Sequence, residues 1–128
     1  MADSERQARG REAEELAAAF LSRRGAEILA RNHRAARGEV DLVCLQGDVL
    51  CFVEVRSRTS EAQGGPEETV GVAKARKVVA AATDWAVRNG GLEREIRFDV
   101  VAVTFGEGAP RIEHFPAAFD AQGRPGLW

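Results

Sequence analysis

The sequence predicts an α/β fold, a mixed β-sheet flanked by helices in the order helix, strand, β-hairpin, helix, strand. Three patterns predict it. Apolar residues recur at helical spacing from Ala13 to Leu21 and again from Ala75 to Ala86. Two apolar segments flank Gly47-Asp48, a two-residue hairpin signal. A further alternating run, Ile96 to Phe105, follows the second helical stretch.

The 128 residues suit one domain, 1–115, followed by an irregular C-terminal tail over 116–128. With 45% hydrophobic and 30% charged residues, the composition is that of a globular chain and excludes disorder. A net charge of −2 excludes a generally basic coat for nucleic acid, so any phosphate contact must come from a local patch. The charged start Met1-Ala2-Asp3-Ser4-Glu5-Arg6 lacks the apolar centre of a secretory signal. No apolar run approaches membrane-spanning length, so the expectation is a cytoplasmic protein with no membrane partner.

The first helix is expected from about Ser4 to Arg24, with Ser4 as N-cap and Gly25 as the stop. Ala13, Leu16, Ala17, Phe20 and Leu21 form its apolar stripe. Glu15 falls opposite the stripe and reads as solvated. Glu12 and Glu14 fall on its two borders, and periodicity does not choose between them. A short strand, Ala26 to Arg31, comes next, then the basic turn Asn32-His33-Arg34-Ala35-Ala36-Arg37. Arg31, Arg34 and Arg37, with Arg58 further on, are candidate nucleic-acid contacts, because guanidinium pairs bidentately with phosphate. An ordinary solvated loop is the competing reading of that turn.

The hairpin carries the chemistry. With Gly47-Asp48 at its turn, Gln46 faces Val49, Leu45 faces Leu50, Cys44 faces Cys51, Val43 faces Phe52, Leu42 faces Val53 and Asp41 faces Glu54. Strict alternation then puts Glu39, Asp41, Glu54 and Arg56 on one face, and Val40, Leu42, Cys44, Cys51, Val53 and Val55 on the other. Two carboxylates opposed across a ladder repel, and one pKa rises. A divalent cation between them reverses that penalty, and Mg²⁺ commonly takes one or two carboxylates and keeps several waters. The plainer alternative pairs Asp41 or Glu54 with Arg56 or Arg58 at a solvated sheet end. Cys44 and Cys51 read as buried thiols rather than a disulfide. The two histidines, His33 and His114, have no ligand spacing, which argues against zinc.

Beyond the hairpin, Thr59 to Thr69 reads as a loop with Gly64-Gly65-Pro66 and no phosphate-loop signature. Ala75, Val78, Val79, Ala82, Trp85 and Ala86 make the second helix, which ends near Asn89-Gly90-Gly91. Lys74 lies on its stripe border, and Trp85 reads as a core aromatic. The run from Ile96 to Phe105 is apolar on both faces at its end, as in an interior strand. Arg111 to Phe115 makes a short last strand.

Taken in order, these pieces resemble the YraN-type family within the restriction-endonuclease-like PD-(D/E)xK superfamily, and are similar to archaeal Holliday-junction resolvases. The resemblance rests on Glu14-x-x-Ala17, Gly25, Arg31-Asn32, Gly38-Glu39-Val40-Asp41-Leu42, Phe52-Val53-Glu54-Val55-Arg56-Ser57-Arg58, Gly64-Gly65-Pro66, Lys74 and Arg97-Phe98-Asp99-Val100-Val101. It implies a restriction-endonuclease-like mixed β-sheet. It also implies that Asp41 and Glu54 are metal-binding acids and that Glu14 is the supplementary ligand. The implied catalytic set is Glu14, Asp41, Glu54, Arg56 and Lys74, with Mg²⁺ or Mn²⁺ as cofactor. The implied partner is nucleic acid, DNA more than RNA, and a homodimer is expected by analogy. Arg56 stands where the motif usually has lysine, and Ala13 where glycine usually precedes the helix glutamate. A guanidinium offers a planar fork but is a poor base. Three readings follow: an Mg²⁺-dependent endonuclease on structured DNA or RNA, a non-catalytic nucleic-acid-binding module, and a protein-interaction domain.

Overall fold

The computed structural model describes residues 2–60 and 70–126. The part of the expected loop that holds Gly64-Gly65-Pro66 lies outside them. The elements are α1 (Ala2–Arg23), β1 (Glu27–Ala35), β2 (Gly38–Gln46), β3 (Val49–Thr59), α2 (Val72–Asn89), a 3₁₀ turn (Gly91–Glu93), β4 (Glu95–Phe105) and β5 (Arg111–Phe119). The chain is α/β, as expected. Its five strands lie in sequence order, with β3 and β4 parallel and the other neighbours antiparallel. The parallel pair is the one joined through α2, because only a crossover can bring two parallel strands together.

Each helix covers one face of the sheet. Ala13, Ala17, Ala18 and Leu21 of α1 pack with Leu42, Cys44, Cys51, Val53, Val101 and Val103. On the other side, Ala75, Val78, Ala81, Ala82 and Ala86 of α2 pack with Val43, Leu50, Phe52, Phe98 and Phe119. Alanine on both helix stripes lets the helices lie close to the strands. The larger side chains therefore come mainly from the sheet, each fully buried Val, Leu or Phe stabilising by about 1.5–3 kcal/mol. Phe52 stacks on Phe98 at 5.9 Å and meets the half-buried Trp85 edge-on at 6.0 Å.

The helix ends follow from local chemistry. α1 begins before Ser4, which lies inside the helix rather than capping it. It closes at Gly25, whose φ of +95° allows a reversed turn. The Gly25 N–H donates to the Ser22 carbonyl and the Ala26 N–H to the Leu21 carbonyl, both at 3.0 Å. Gly90 ends α2 in the left-handed region, at φ 72°.

The hairpin has the expected register from Gln46↔Val49 to Leu42↔Val53. Cys44 and Cys51 face each other as buried free thiols. Two strands run further than their patterns predict. β1 continues through Asn32, His33 and Arg34 to Ala35, so the expected basic turn shrinks to Ala36-Arg37. An edge strand does not need an alternating apolar face along its whole length, which leaves such an extension without a pattern. β5 continues past Pro116 to Phe119, with Ala117 at φ 52° beside a register shift between Phe98 and Val100. Proline is tolerated on an edge strand at such a bulge. Residues 120–126 beyond it are irregular apart from one bridge, yet they dock against the fold. Pro125 bridges to Phe119, and the Arg76 Nε donates to the Gln122 carbonyl at 3.1 Å. At the other end of the sheet, Gly38 lies so close to α2 that a Cβ there would overlap the Lys77 carbonyl.

Candidate functional site

The sheet opens around Asp41. The β2–β3 ladder stops at Leu42↔Val53, and the β1–β2 ladder passes from Arg31↔Leu42 to His33↔Val40 without joining Asn32 to Asp41. Asn32 holds a left-handed φ of 52°. Strand residues two apart ordinarily share a face. Here Arg31 reaches Glu15 on α1 at 2.7 Å, whereas His33 reaches Asp84 on α2 at 2.8 Å. β2 turns with its neighbour, so Leu42 packs on the α1 side and Val40 on the α2 side. Strict alternation puts Val40 with Leu42 and Cys44; the turn at Asn32 and Asp41 corrects that. The backbone left open is used by the Asp41 carboxylate, which accepts the Val55 N–H at 2.7 Å.

Glu54 lies across from Asp41, only 7% exposed, and the two carboxyls are hydrogen-bonded to each other. Burial first, then repulsion from Glu54, pushes the Asp41 carboxyl up to about 8. Burial also raises Glu54, against the hydrogen bond from Asp41 and the charges of Lys74 and Arg56. The pair therefore retains a proton near neutrality and titrates as a unit. Lys74 comes in from α2 with its Nζ 3.6 Å from Glu54 Oε2. Glu14 comes in from α1, half-buried, and is likewise raised by burial and then by Asp41, against a hydrogen bond from Asn32. Of the two border glutamates, Glu12 is exposed and Glu14 faces the acids.

The fold thus gathers Glu14, Asp41, Glu54 and Lys74 from four elements, with the charge of Arg56 felt at Glu54. The candidate phosphate contacts are more dispersed. Arg31 is engaged by Glu15, which stays largely exposed, and Arg34 lies 3.5 Å from Glu39. Arg37 is exposed in the β1–β2 turn, and Arg58 is half-buried on β3. Among the described residues, no three His, Cys, Asp or Glu side chains form a ready-made metal cage. Two opposed carboxylates nevertheless suit Mg²⁺, which keeps most of its waters. Here the cation would replace the shared proton. Asn32 and its contact with Glu14 escaped the sequence pattern. The available signal was an asparagine, which tolerates the left-handed region, opposite an acid in a strand pair.

A second buried acid has the opposite surroundings. Asp99 on β4 is 1% exposed and accepts Arg97 Nε at 2.8 Å and Nη2 at 2.9 Å, His114 Nε2 at 2.8 Å and the Ala117 N–H at 3.0 Å. Arg97 Nη2 also donates to Gln46 Oε1 at 2.8 Å. Burial alone would raise Asp99. The bonds from His114, Arg97 and Ala117 outweigh it and hold the carboxyl below its ordinary value.

No helix among the described residues is long and apolar enough to cross a membrane. The family described as "Uncharacterised protein family UPF0102" matches residues 13–103. A UPF0102 protein of Anaeromyxobacter dehalogenans is 75% identical over 123 residues, covering 96% of this chain and 92% of that protein. A second, from Anaeromyxobacter sp. strain Fw109-5, is 73% identical, covering 97% of this chain and 93% of its own. The UPF0102 protein of Rhodococcus jostii is 43% identical over 111 residues, covering 86% of this chain and 94% of its own. This chain belongs to the UPF0102 family.

Proposed function

We propose that this protein is a Mg²⁺- or Mn²⁺-dependent endonuclease that hydrolyses phosphodiester bonds of structured nucleic acid, branched forms included, with DNA favoured over RNA. The observation that carries this reading is the pair of half-buried Asp41 and buried Glu54, held together at a break in the sheet. Such a pair is costly as a structural device and useful as a cation seat. The resemblance to the PD-(D/E)xK superfamily points the same way. Asp41 and Glu54 would hold the cation, with Glu14 joining them. When bound, it supplies Lewis-acid charge at the phosphodiester and acidifies water.

The chain's own groups have definable tasks. The Val55 N–H fixes one Asp41 oxygen, leaving the other for the site. Lys74 holds Glu54 and brings positive charge to the rim. Arg56 stabilises developing phosphoryl charge but does not take a proton from water. Arg31, Arg34, Arg37 and Arg58 contact the phosphate backbone. A homodimer, expected from resolvases, would allow both strands to be cut.

The test is cleavage of branched, single-stranded and duplex DNA by purified protein with Mg²⁺ or Mn²⁺. Cleavage of at least one is expected, with Asp41→Asn and Glu54→Gln lowering it by at least about 100-fold while circular dichroism stays unchanged. The arginine at position 56 favours one second reading, a binding module without turnover. Inert protein that binds DNA with steep inverse salt dependence would establish it. Faster cleavage by Arg56→Lys would show instead that the guanidinium limits turnover. Protein that takes up neither cation nor nucleic acid leaves only an interaction domain.

A further inference from the structure

Gly38 brings together two elements that carry exposed positive charge. Its backbone lies against α2, where a Cβ would overlap the Lys77 carbonyl and sit 3.0 Å from the Lys77 Cα. Any other residue at this position would push the β1–β2 turn and the helix apart. Consecutive Cα atoms are about 3.8 Å apart, so the Cα atoms of Arg37 and Lys77 lie within about 8 Å of each other. Both side chains are exposed, and among the described residues neither is paired with an acid. Lys74 lies one helical turn before Lys77 on the same flank of α2, and its Nζ is 3.6 Å from Glu54 Oε2. The first turn of α2 holds no acid to offset these lysines. Three cations thus lead from the β1–β2 turn along α2 to the acid pair. The arginines earlier on β1 are already answered, Arg31 by Glu15 at 2.7 Å and Arg34 by Glu39 at 3.5 Å. A phosphate arriving there must displace a carboxylate; at Arg37 and Lys77 it displaces nothing but water.

We propose that the β1–β2 turn and the first two turns of α2 seat the nucleic-acid backbone, with Arg37 and Lys77 gripping phosphate and Lys74 leading the strand to the acid pair. This rests on the reading of the site under Proposed function. It adds Lys77 to the contacts and puts the strand on the α2 flank of the sheet end. In a chain of net charge −2, a local run of unanswered cations decides where a polyanion lands. The glycine at 38 then has a task in binding, because the close approach it permits sets the two gripping side chains side by side.

The probe is a fluorescently labelled four-way DNA junction, titrated by anisotropy over a range of salt without divalent cation, so that binding is read apart from cleavage. Arg37→Ala and Lys77→Ala should each lower the slope of log K against log salt by about 0.9, and the double variant by about 1.8. Arg88→Ala removes a charge that Asp84 already answers near the other end of α2, and should keep the wild-type slope. A wild-type slope in the double variant, while wild type binds, overturns the seat and leaves the substrate reading standing. An equal loss in Arg88→Ala also overturns it, since net charge alone would then account for the effect. If the slopes fall as expected but Mg²⁺ brings no cleavage, the seat stands and the endonuclease reading falls. Wild type that does not bind the junction overturns both.

Discussion

Asp41 with Glu54, and Asp99 with its partners, are two sites on one sheet where carboxyls leave water, with opposite electrostatics. Asp99 receives four hydrogen bonds, two from one guanidinium, and is held below its ordinary value. Asp41 receives one backbone N–H and a neighbouring carboxyl, and is pushed up to about 8. Burial raises both carboxyls, so burial does not explain why they move in opposite directions. What differs is whether the fold supplies donors. Asp99 is a satisfied strut tying β4 to β5, whereas among the described residues Asp41 is met by a single backbone N–H and a second carboxyl. Such a pair is suited to receive something positive from outside.

That contrast can be broken by mutation. The largest effect should come from Asp99→Asn, which leaves the half-buried Arg97 without its buried counter-charge. A loss of about 3–5 kcal/mol is expected in urea unfolding. A loss below 1 kcal/mol would mean that Asp99 is no strut. His114→Phe removes one donor and should cost about 1–3 kcal/mol. Asp41→Asn should change stability by less than about 1 kcal/mol in either direction, because Asn still accepts the Val55 N–H and relieves repulsion from Glu54. It should nevertheless abolish Mn²⁺ uptake.

The same contrast fixes two signs of pH dependence. Asp41 is raised when folded, so its contribution is full below the unfolded value of 3.8 and is lost as pH rises through about 8. Asp99 is lowered when folded, so its contribution is present above 3.8 and is lost as pH falls through the folded value. Thermal melts without divalent cation should therefore decline from pH 5 toward pH 9, with the decline reduced in Asp41→Asn and opposed by added Mg²⁺. Mn²⁺ affinity should rise over the same range and level off above about 8, as the shared proton is released. A flat affinity profile would mean that the cation does not displace that proton.

Much of this was legible in the chain. The Gly47-Asp48 turn and its apolar flanks determine the hairpin register, because a slip of one residue would expose the whole core face. Helical stripes located α1 and α2 for the same reason. Periodicity fails where burial is not periodic. β1 past Arg31 is a polar edge, and Val40 changes face because one backbone dihedral at Asn32 turns the strand. β5 past Phe115 contains a proline, a signal that argues against strand until the bulge at Ala117 is seen. For the candidate site, register brought Asp41 and Glu54 near each other on paper, although the ladder itself ends at Leu42↔Val53, and the approach of Glu14 and Lys74 depends on packing. The donors that satisfy Asp99 come partly from β5, and no local pattern links them to β4.

The parallel pairing of β3 with β4 has a kinetic consequence. It runs unbroken from Val49↔Glu95 to Thr59↔Phe105 and joins segments separated by all of α2. The meander β1–β2–β3 closes through short turns, so it can form early, whereas β4 must await a long loop closure. The acid pair belongs wholly to the meander and is covered on one side only when β4 docks. The two carboxylates thus meet while still hydrated and become desolvated late. Refolding rates should be nearly insensitive to Asp41→Asn, while unfolding rates at high pH should slow in that variant; a large change in the refolding limb would reverse this order of events.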